Sequence, residues 1–325
     1  MLSHGVRPRS GRPSRRRSLV YASVASVVLV GATSSGTMYV KTQAMEATVE
    51  SSAVPTSAAS SRSKPSPGPS PRPSPSPSPS PVVDRDALLA GAVKAVAVED
   101  GAAVSVAVLD VSSGESAVYG DGAFDTASIV KVDILASLLL RAQDAGRGLT
   151  AQEKTYAAAM IRNSDNASAT ALWTAIGQAE GLRAANERFG LLDTEGGDGA
   201  LWGLTQTTAA DQLALLRQVF GVSESELGEG SRSYLAGLMG QVAVGQDWGV
   251  SAAASGVGAS EIALKNGWLP RSATGLWDIN SVGRVGVGGR EFLVAVLSDG
   301  NSSKEKGVSV VEAVAKAAVA CFEGD

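Results

Sequence analysis

Apolar and polar positions are arranged in three different ways along this chain. Over 19–40 they scarcely alternate: apolar residues crowd together, most densely over 19–32, and no charged residue interrupts them. From 51 to 81 the sequence turns to Ser, Pro and Ala and ends in a Pro-Ser repeat, which can bury no core and predicts an extended, polyproline-like spacer. Beyond Val82 the periods become those of a folded domain. A first helix is expected over 84–98, and the alternating runs 104–110 and 115–119, joined by Ser112-Ser113-Gly114, predict a hairpin. Apolar spacing near 3.6 then predicts a helix starting near Ala127, followed by helices over 151–161, 167–176, 180–189, 208–220 and 231–242. Strands return at 261–265, 275–282 and 292–298, and a last helix is expected over 304–322. Two strands, a helical block, three strands and a helix predict an α/β (α+β) fold. Its antiparallel five-stranded sheet is assembled from both ends of the domain and flanked by helices, with the helical region inserted.

Charge adds direction to this picture. Residues 1–81 hold ten Lys and Arg against Glu46 and Glu50, which leaves 18 basic and 30 acidic residues for 82–325. Arg7, Arg9, Arg12, Arg15, Arg16 and Arg17 precede the apolar run, the pattern of an export segment. The positive-inside rule places 1–18 in the cytoplasm and everything after Val40 outside. With Thr33 to Thr37 included the run reaches about 20 residues, enough to span a bilayer. We therefore expect 19–40 to be an uncleaved signal anchor, or a signal peptide if it is cut. The chain is then a single-pass cell-membrane protein, with 41–81 as the extracellular linker and 82–325 as the outer domain, monomeric and secreted if the signal is removed. So acidic a domain is a poor partner for nucleic acid. Cys321 is the sole cysteine, so no intramolecular disulfide can form, and its apolar helical setting points to packing.

The single histidine, His4, lies ahead of the export segment, which excludes Ser-His-Asp, Cys-His and histidine-zinc chemistry from the outer domain. No glycine-rich phosphate loop is present, and nothing calls for a metal or cofactor. A carboxylate pair or a serine activated by lysine remain. The run Phe124-Asp125-Thr126-Ala127-Ser128-Ile129-Val130-Lys131 favours the second. Asp125 and Thr126 are helix-capping types, and Ser128 falls in the first turn of an apolar helix with Lys131 on the same face. Burial lowers an amine's pKa, and a neutral amine can take the hydroxyl proton. Ser-x-x-Lys also occurs at Ser61 to Lys64 and Ser303 to Lys306, but only Ser128 has this apolar helical context. Ser164-Asp165-Asn166 lies between two helices, and Lys265-Asn266-Gly267 ends an apolar run. Either alone reads as a turn.

Taken in order, Ser-x-x-Lys, Ser-Asp-Asn and Lys-Asn-Gly resemble the active-site signature of serine β-lactamases, class A above all, and of penicillin-binding D-Ala-D-Ala peptidases. The likeness extends over 82–325, including the order of strands and helices, Leu204-Thr205-Gln206-Thr207-Thr208 before a helix, and the last strand followed by a long helix. It implies a β-lactamase/transpeptidase-like fold and a serine hydrolase whose partner is a small β-lactam or cell-wall peptide. It also implies roles. Ser128 is the nucleophile, Lys131 its base, and Ser164 the donor to the leaving nitrogen. Asn166 bonds the substrate's side-chain amide, Lys265 attracts its carboxylate with help from the Asn266 amide, and Gly267 lets the backbones approach. The N–H groups of Ser128 and Trp268 form the oxyanion hole.

Three departures accompany the resemblance. Asn266 stands where the family has Thr or Ser, the stretch between Lys131 and Ser164 is short, and the Glu-x-x-Leu-Asn segment that supplies the class A deacylation base is missing. Asp193, Glu195 and Asp198 are the acids available in that region. Glu195, followed by Gly196-Gly197, is expected to be a solvated loop residue. Turnover therefore stays open, and two other readings remain: a true class A β-lactamase with a displaced base, and a non-catalytic penicillin- or cell-wall-binding module.

Overall fold

The computed structural model describes residues 83–322. The expected anchor, the linker and the Ser61 to Lys64 motif lie outside them. The described chain begins with α1 (Arg85–Lys94), capped by Asp84 through the Ala87 amide. It ends four residues before the predicted end at 98. The hairpin β1 (Ala103–Asp110) and β2 (Ser116–Tyr119) follows as predicted. A two-residue strand, β3 (Phe124–Asp125), then leads through the tight turn Ala127–Ile129 into α2 (Val130–Asp144). Helices α3 (Ala151–Arg162), α4 (Asn166–Ile176), α5 (Gln178–Phe189), α6 (Ala209–Phe220) and α7 (Glu229–Met239) make the helical block, with β4 (Gln206–Thr207) between α5 and α6. The chain returns through β5 (Ala263–Pro270), β6 (Trp277–Val287) and β7 (Arg290–Asn301) to α8 (Lys304–Ala320).

The main sheet has the order β2-β1-β7-β6-β5 with every neighbouring pair antiparallel, so both ends of the domain do meet in one five-stranded sheet. Its central strand β7 reads as a nearly continuous apolar run because both of its faces are covered. Leu293, Ala295 and Leu297 face the helical block, while Phe292, Val294 and Val296 pack with Val311, Val314 and Ala318 of α8. Gly288-Gly289, with φ of +59° and +86°, closes the β6–β7 hairpin between Val287 and Arg290. Two-residue hairpin loops need this conformation, and glycine adopts it without a Cβ clash.

Through the helical block runs α2, buried on almost every side from Val130 to Leu140 and at Ala142. A helix apolar on so many sides needs partners all round it. Here α3, α4, α5 and α7 surround it. The remaining Ser-x-x-Lys pair has a structural use: Ser303 caps α8 by accepting from the Lys306 amide, and Lys306 pairs with Glu99.

One boundary differs from expectation in a way that matters. The strand predicted at 261–265 begins at Ala263 and continues through Lys265-Asn266-Gly267 to Pro270, so that motif lies within a strand. The register from Ala263↔Arg284 to Pro270↔Trp277 explains it. The ladder with β6 holds these residues extended although their side chains lack alternation, and Pro270 is tolerated at the end of an edge strand.

Candidate active site

Ser128 owes its position to a small sheet. Phe124 and Asp125 pair with Thr207 and Gln206, and the Thr126 amide donates to Thr205 O at 2.8 Å. Capping residues were expected here, but Asp125 instead accepts from Gln206 and pairs with Arg271, and Thr126 makes no side-chain cap. The turn then opens as a 3-10 turn, with Ala127 at φ +48°. Ser164, at φ +54°, is also left-handed. Non-glycine residues held this way cost about 1–3 kcal/mol each and persist where the surroundings over-determine them. At both positions the residue carries, or directly precedes, a hydroxyl of the site.

The Lys131 amine joins these elements. It lies within hydrogen-bond distance of Ser128 Oγ at 2.9 Å, Ser164 Oγ at 3.0 Å, Ser164 O at 2.7 Å and Asn166 Oδ1 at 2.8 Å. Asp165, between the last two residues, caps α4 through the Ser168 amide at 2.7 Å and so fixes the connection. Lys131 is fully buried, and desolvation pulls its pKa from 10.5 to about 7 against a smaller opposing pull from Asp165. Lys265, equally buried, reaches Ser164 Oγ at 3.1 Å and Asn266 O at 2.8 Å. Burial, and then the charge of Lys131, push it well below the ordinary lysine range. A hydroxyl between two amines, one of them beside a second hydroxyl, is a path for proton transfer.

Gly267 allows the sheet to touch this helix start. A Cβ there would sit 2.7 Å from Thr126 O, 2.9 Å from Ser128 N and 3.0 Å from Ile129 N. The next residue, Trp268, is thereby brought beside the first turn of the helix, where backbone N–H groups lack intrahelical partners. Across the ladder from Gly267, Asn280 holds the same turn from β6, donating to Asp125 O at 2.8 Å and Thr126 O at 3.1 Å.

Asn266 is a correction. Its side chain lies on the opposite sheet face from Lys265, buried, and both amide hydrogens are engaged by Gln246 O at 2.9 Å and Trp248 O at 2.8 Å. It pins the segment ahead of the turn Gly249–Ala253 and has no donor left for a substrate carboxylate. Asparagine is longer than Thr or Ser, so its amide reaches those carbonyls.

A model of the family described as the beta-lactamase enzyme family matches residues 143–322, more than half of the chain. The chain belongs to this family. The matched span includes Ser164, Asn166 and Lys265 and starts after Lys131. Among solved structures, this beta-lactamase-family domain is similar to a mutant of PBP-A held as an acyl-enzyme with penicillin G, at 20% identity and TM-score 0.62, over 73% of this chain and 96% of that one. It is also similar to a beta-lactamase from Xanthomonas campestris pv. campestris, at 21% identity and TM-score 0.57 over 73% and 98%. A class A beta-lactamase from Bacteroides cellulosilyticus matches at 15% identity and TM-score 0.61 over 74% and 99%. At these identities the likeness establishes the β-lactamase-like fold. No curated protein matches the chain.

The three acids expected in the region of the family's deacylation base lie elsewhere. Asp193, Glu195 and Asp198 are exposed and line a cavity of about 1040 Å³ to which Ser128, Lys131, Ser164 and Lys265 contribute nothing. Glu195 is tied there through its backbone, exchanging two 2.9 Å hydrogen bonds with Gln206. What approaches Lys131 from this loop is Trp202, its ring centroid 4.9 Å from the amine. Trp202 and Asn280 escaped the sequence reading. Asn280 did leave a signal, a polar residue inside an apolar strand. Trp202 left none.

Proposed function

We propose that the outer domain is an exported serine hydrolase that takes β-lactams or D-Ala-D-Ala-like peptides onto Ser128 as an acyl-enzyme. The observation that carries this reading is the buried Lys131 amine, 2.9 Å from Ser128 Oγ and with a pKa of about 7, so that much of it is neutral near pH 7. In the proposed reaction neutral Lys131 takes the Ser128 proton as Oγ attacks the carbonyl. Ser164, bridging Lys131 and Lys265, passes a proton to the leaving nitrogen. The N–H groups of Ser128 and Trp268 bind the oxyanion, where loss of one donor costs on the order of 10²- to 10³-fold in rate. Asn166, with its oxygen taken by Lys131, turns its amide hydrogens to the substrate, and Lys265 receives the carboxylate, whose negative charge favours the ammonium form that burial disfavours.

Glu195 has no place in this mechanism. Its exposure supports an acyl-enzyme that forms readily and is resolved slowly, since a base must activate the water for deacylation. The test is the intact mass of the protein with penicillin over time. An adduct that lasts many minutes is expected, lost altogether in Ser128→Ala and equally long-lived in Glu195→Gln. Labelling that survives Ser128→Ala refutes the mechanism, and an adduct that clears rapidly unless Glu195 is changed makes the protein a working β-lactamase. Export and tethering rest on the arginine-flanked apolar run at 19–40.

A further inference from the structure

The acyl-enzyme proposed above must be protected from water, and one side chain is placed to do so. Four oxygen contacts converge on the Lys131 amine: Ser128 Oγ, both oxygens of Ser164, and Asn166 Oδ1. Of charged groups, Asp165 acts on it from the α3–α4 connection and Lys265 from β5, while the turn Trp202–Leu204 brings only the indole. That turn packs against Ala127–Ile129, with Gly203 close to Ala127 Cα. The ring is held from α4, because Trp202 Nε1 donates to Thr170 Oγ1 at 3.2 Å, and the Thr170 hydroxyl donates to Asn166 O at 3.0 Å. An indole centroid 4.9 Å from the nitrogen leaves no layer of water between them.

We infer that Trp202 is a positioning residue that roofs Lys131, excludes water from it, and thereby prolongs the acyl-enzyme. Deacylation requires water to add to the ester carbonyl while a base accepts its proton; the bond to Ser128 Oγ then breaks and Oγ takes that proton back. Lys131 is the base next to Ser128 Oγ, and the indole occupies the side from which it would otherwise receive a water. The ring's attraction for a cation is modest, so the larger effect of the indole is exclusion. Removing it both hydrates the amine and opens the path.

The experiment is the time course of the benzylpenicillin adduct on the full chain, by intact mass, in the parent, Trp202→Ala and Thr170→Val. Thr170→Val frees the indole but leaves the ring and the helix in place, so it reads the same effect with the fold undisturbed. Followed above the pH at which acylation has levelled off in both proteins, so that Lys131 is neutral in each, the adduct life in Trp202→Ala should fall on the order of 10²-fold, the usual size of a general-base contribution. Thr170→Val should shorten it less. The pH at which acylation sets in should rise in Trp202→Ala, because a hydrated amine holds its proton more tightly. A purely structural role would leave that pH unmoved. Adducts as durable in both variants as in the parent overturn the roof while leaving the Ser128 mechanism standing. A parent that forms no adduct overturns the Ser128 mechanism itself, and with it the roof.

Discussion

Lys131 and Lys265 bring two amines to one hydroxyl, at 3.0 and 3.1 Å from Ser164 Oγ, and each charge disfavours the other. Burial acts on both in the same direction, since a buried ammonium gives up its hydration. For Lys131 the consequence has a definite sign. Its pKa is lowered from 10.5 to about 7, so the neutral form able to accept the Ser128 proton grows as pH rises through about 7. The rate of penicillin acylation should therefore rise with pH to a plateau, with its midpoint near that value. Rates measured across this range check it, and a midpoint in the ordinary lysine range would mean that Lys131 is not the base. Lys131→Ala should remove the limb together with most of the rate.

At the scale of elements, the site depends on a strand edge meeting a helix start, and Gly267 sets their separation. In Gly267→Ala the new Cβ would lie 2.7 Å from Thr126 O, so β5 must withdraw from the turn Ala127–Ile129. Overpacking of this kind costs about 1–3 kcal/mol of stability. The shift in reacting geometry is felt more strongly: a misplacement near 1 Å slows a reaction on the order of 10²-fold. Acylation should fall by about that factor in a folded variant. Gly237→Ala is the control. A Cβ there meets nothing within 4 Å on an exposed face of α7, so stability should rise by about 0.5–1 kcal/mol with acylation unchanged. Equal acylation in the two variants would mean that β5 does not line the reacting centre.

At the scale of the whole molecule, the domain has no disulfide available and relies on a core on each side of one sheet. One core lies around α2, and the other lies between the sheet and α1 and α8. The expected use of the spacer over 51–81 is reach. Protease added to intact cells should cut within 51–81 and release a soluble fragment that still acquires a penicillin adduct. Release without protease would show that the apolar segment is removed on export. A fragment that stays inside protected cells would overturn the export reading.

The sequence by itself determined which segments form elements, because periodicity reports which side of an element is buried. The helices around α2, the five strands and the order in which they follow one another were all legible. So was the meeting of Ser128 with Lys131, two residues three apart on one helical face. Relations across elements were not legible, because they depend on register and close approach. The ladder with β6 carried β5 through Lys265-Asn266-Gly267, where local pattern ended the strand. The length of the Asn266 side chain took its amide to the carbonyls of Gln246 and Trp248, so a residue read as holding substrate holds a loop instead. The path of 191–208 turned three carboxylates into a separate cavity and laid Trp202 over the amine. Only tertiary structure could decide these, since each is a distance between residues whose separation along the chain says nothing of their separation in space.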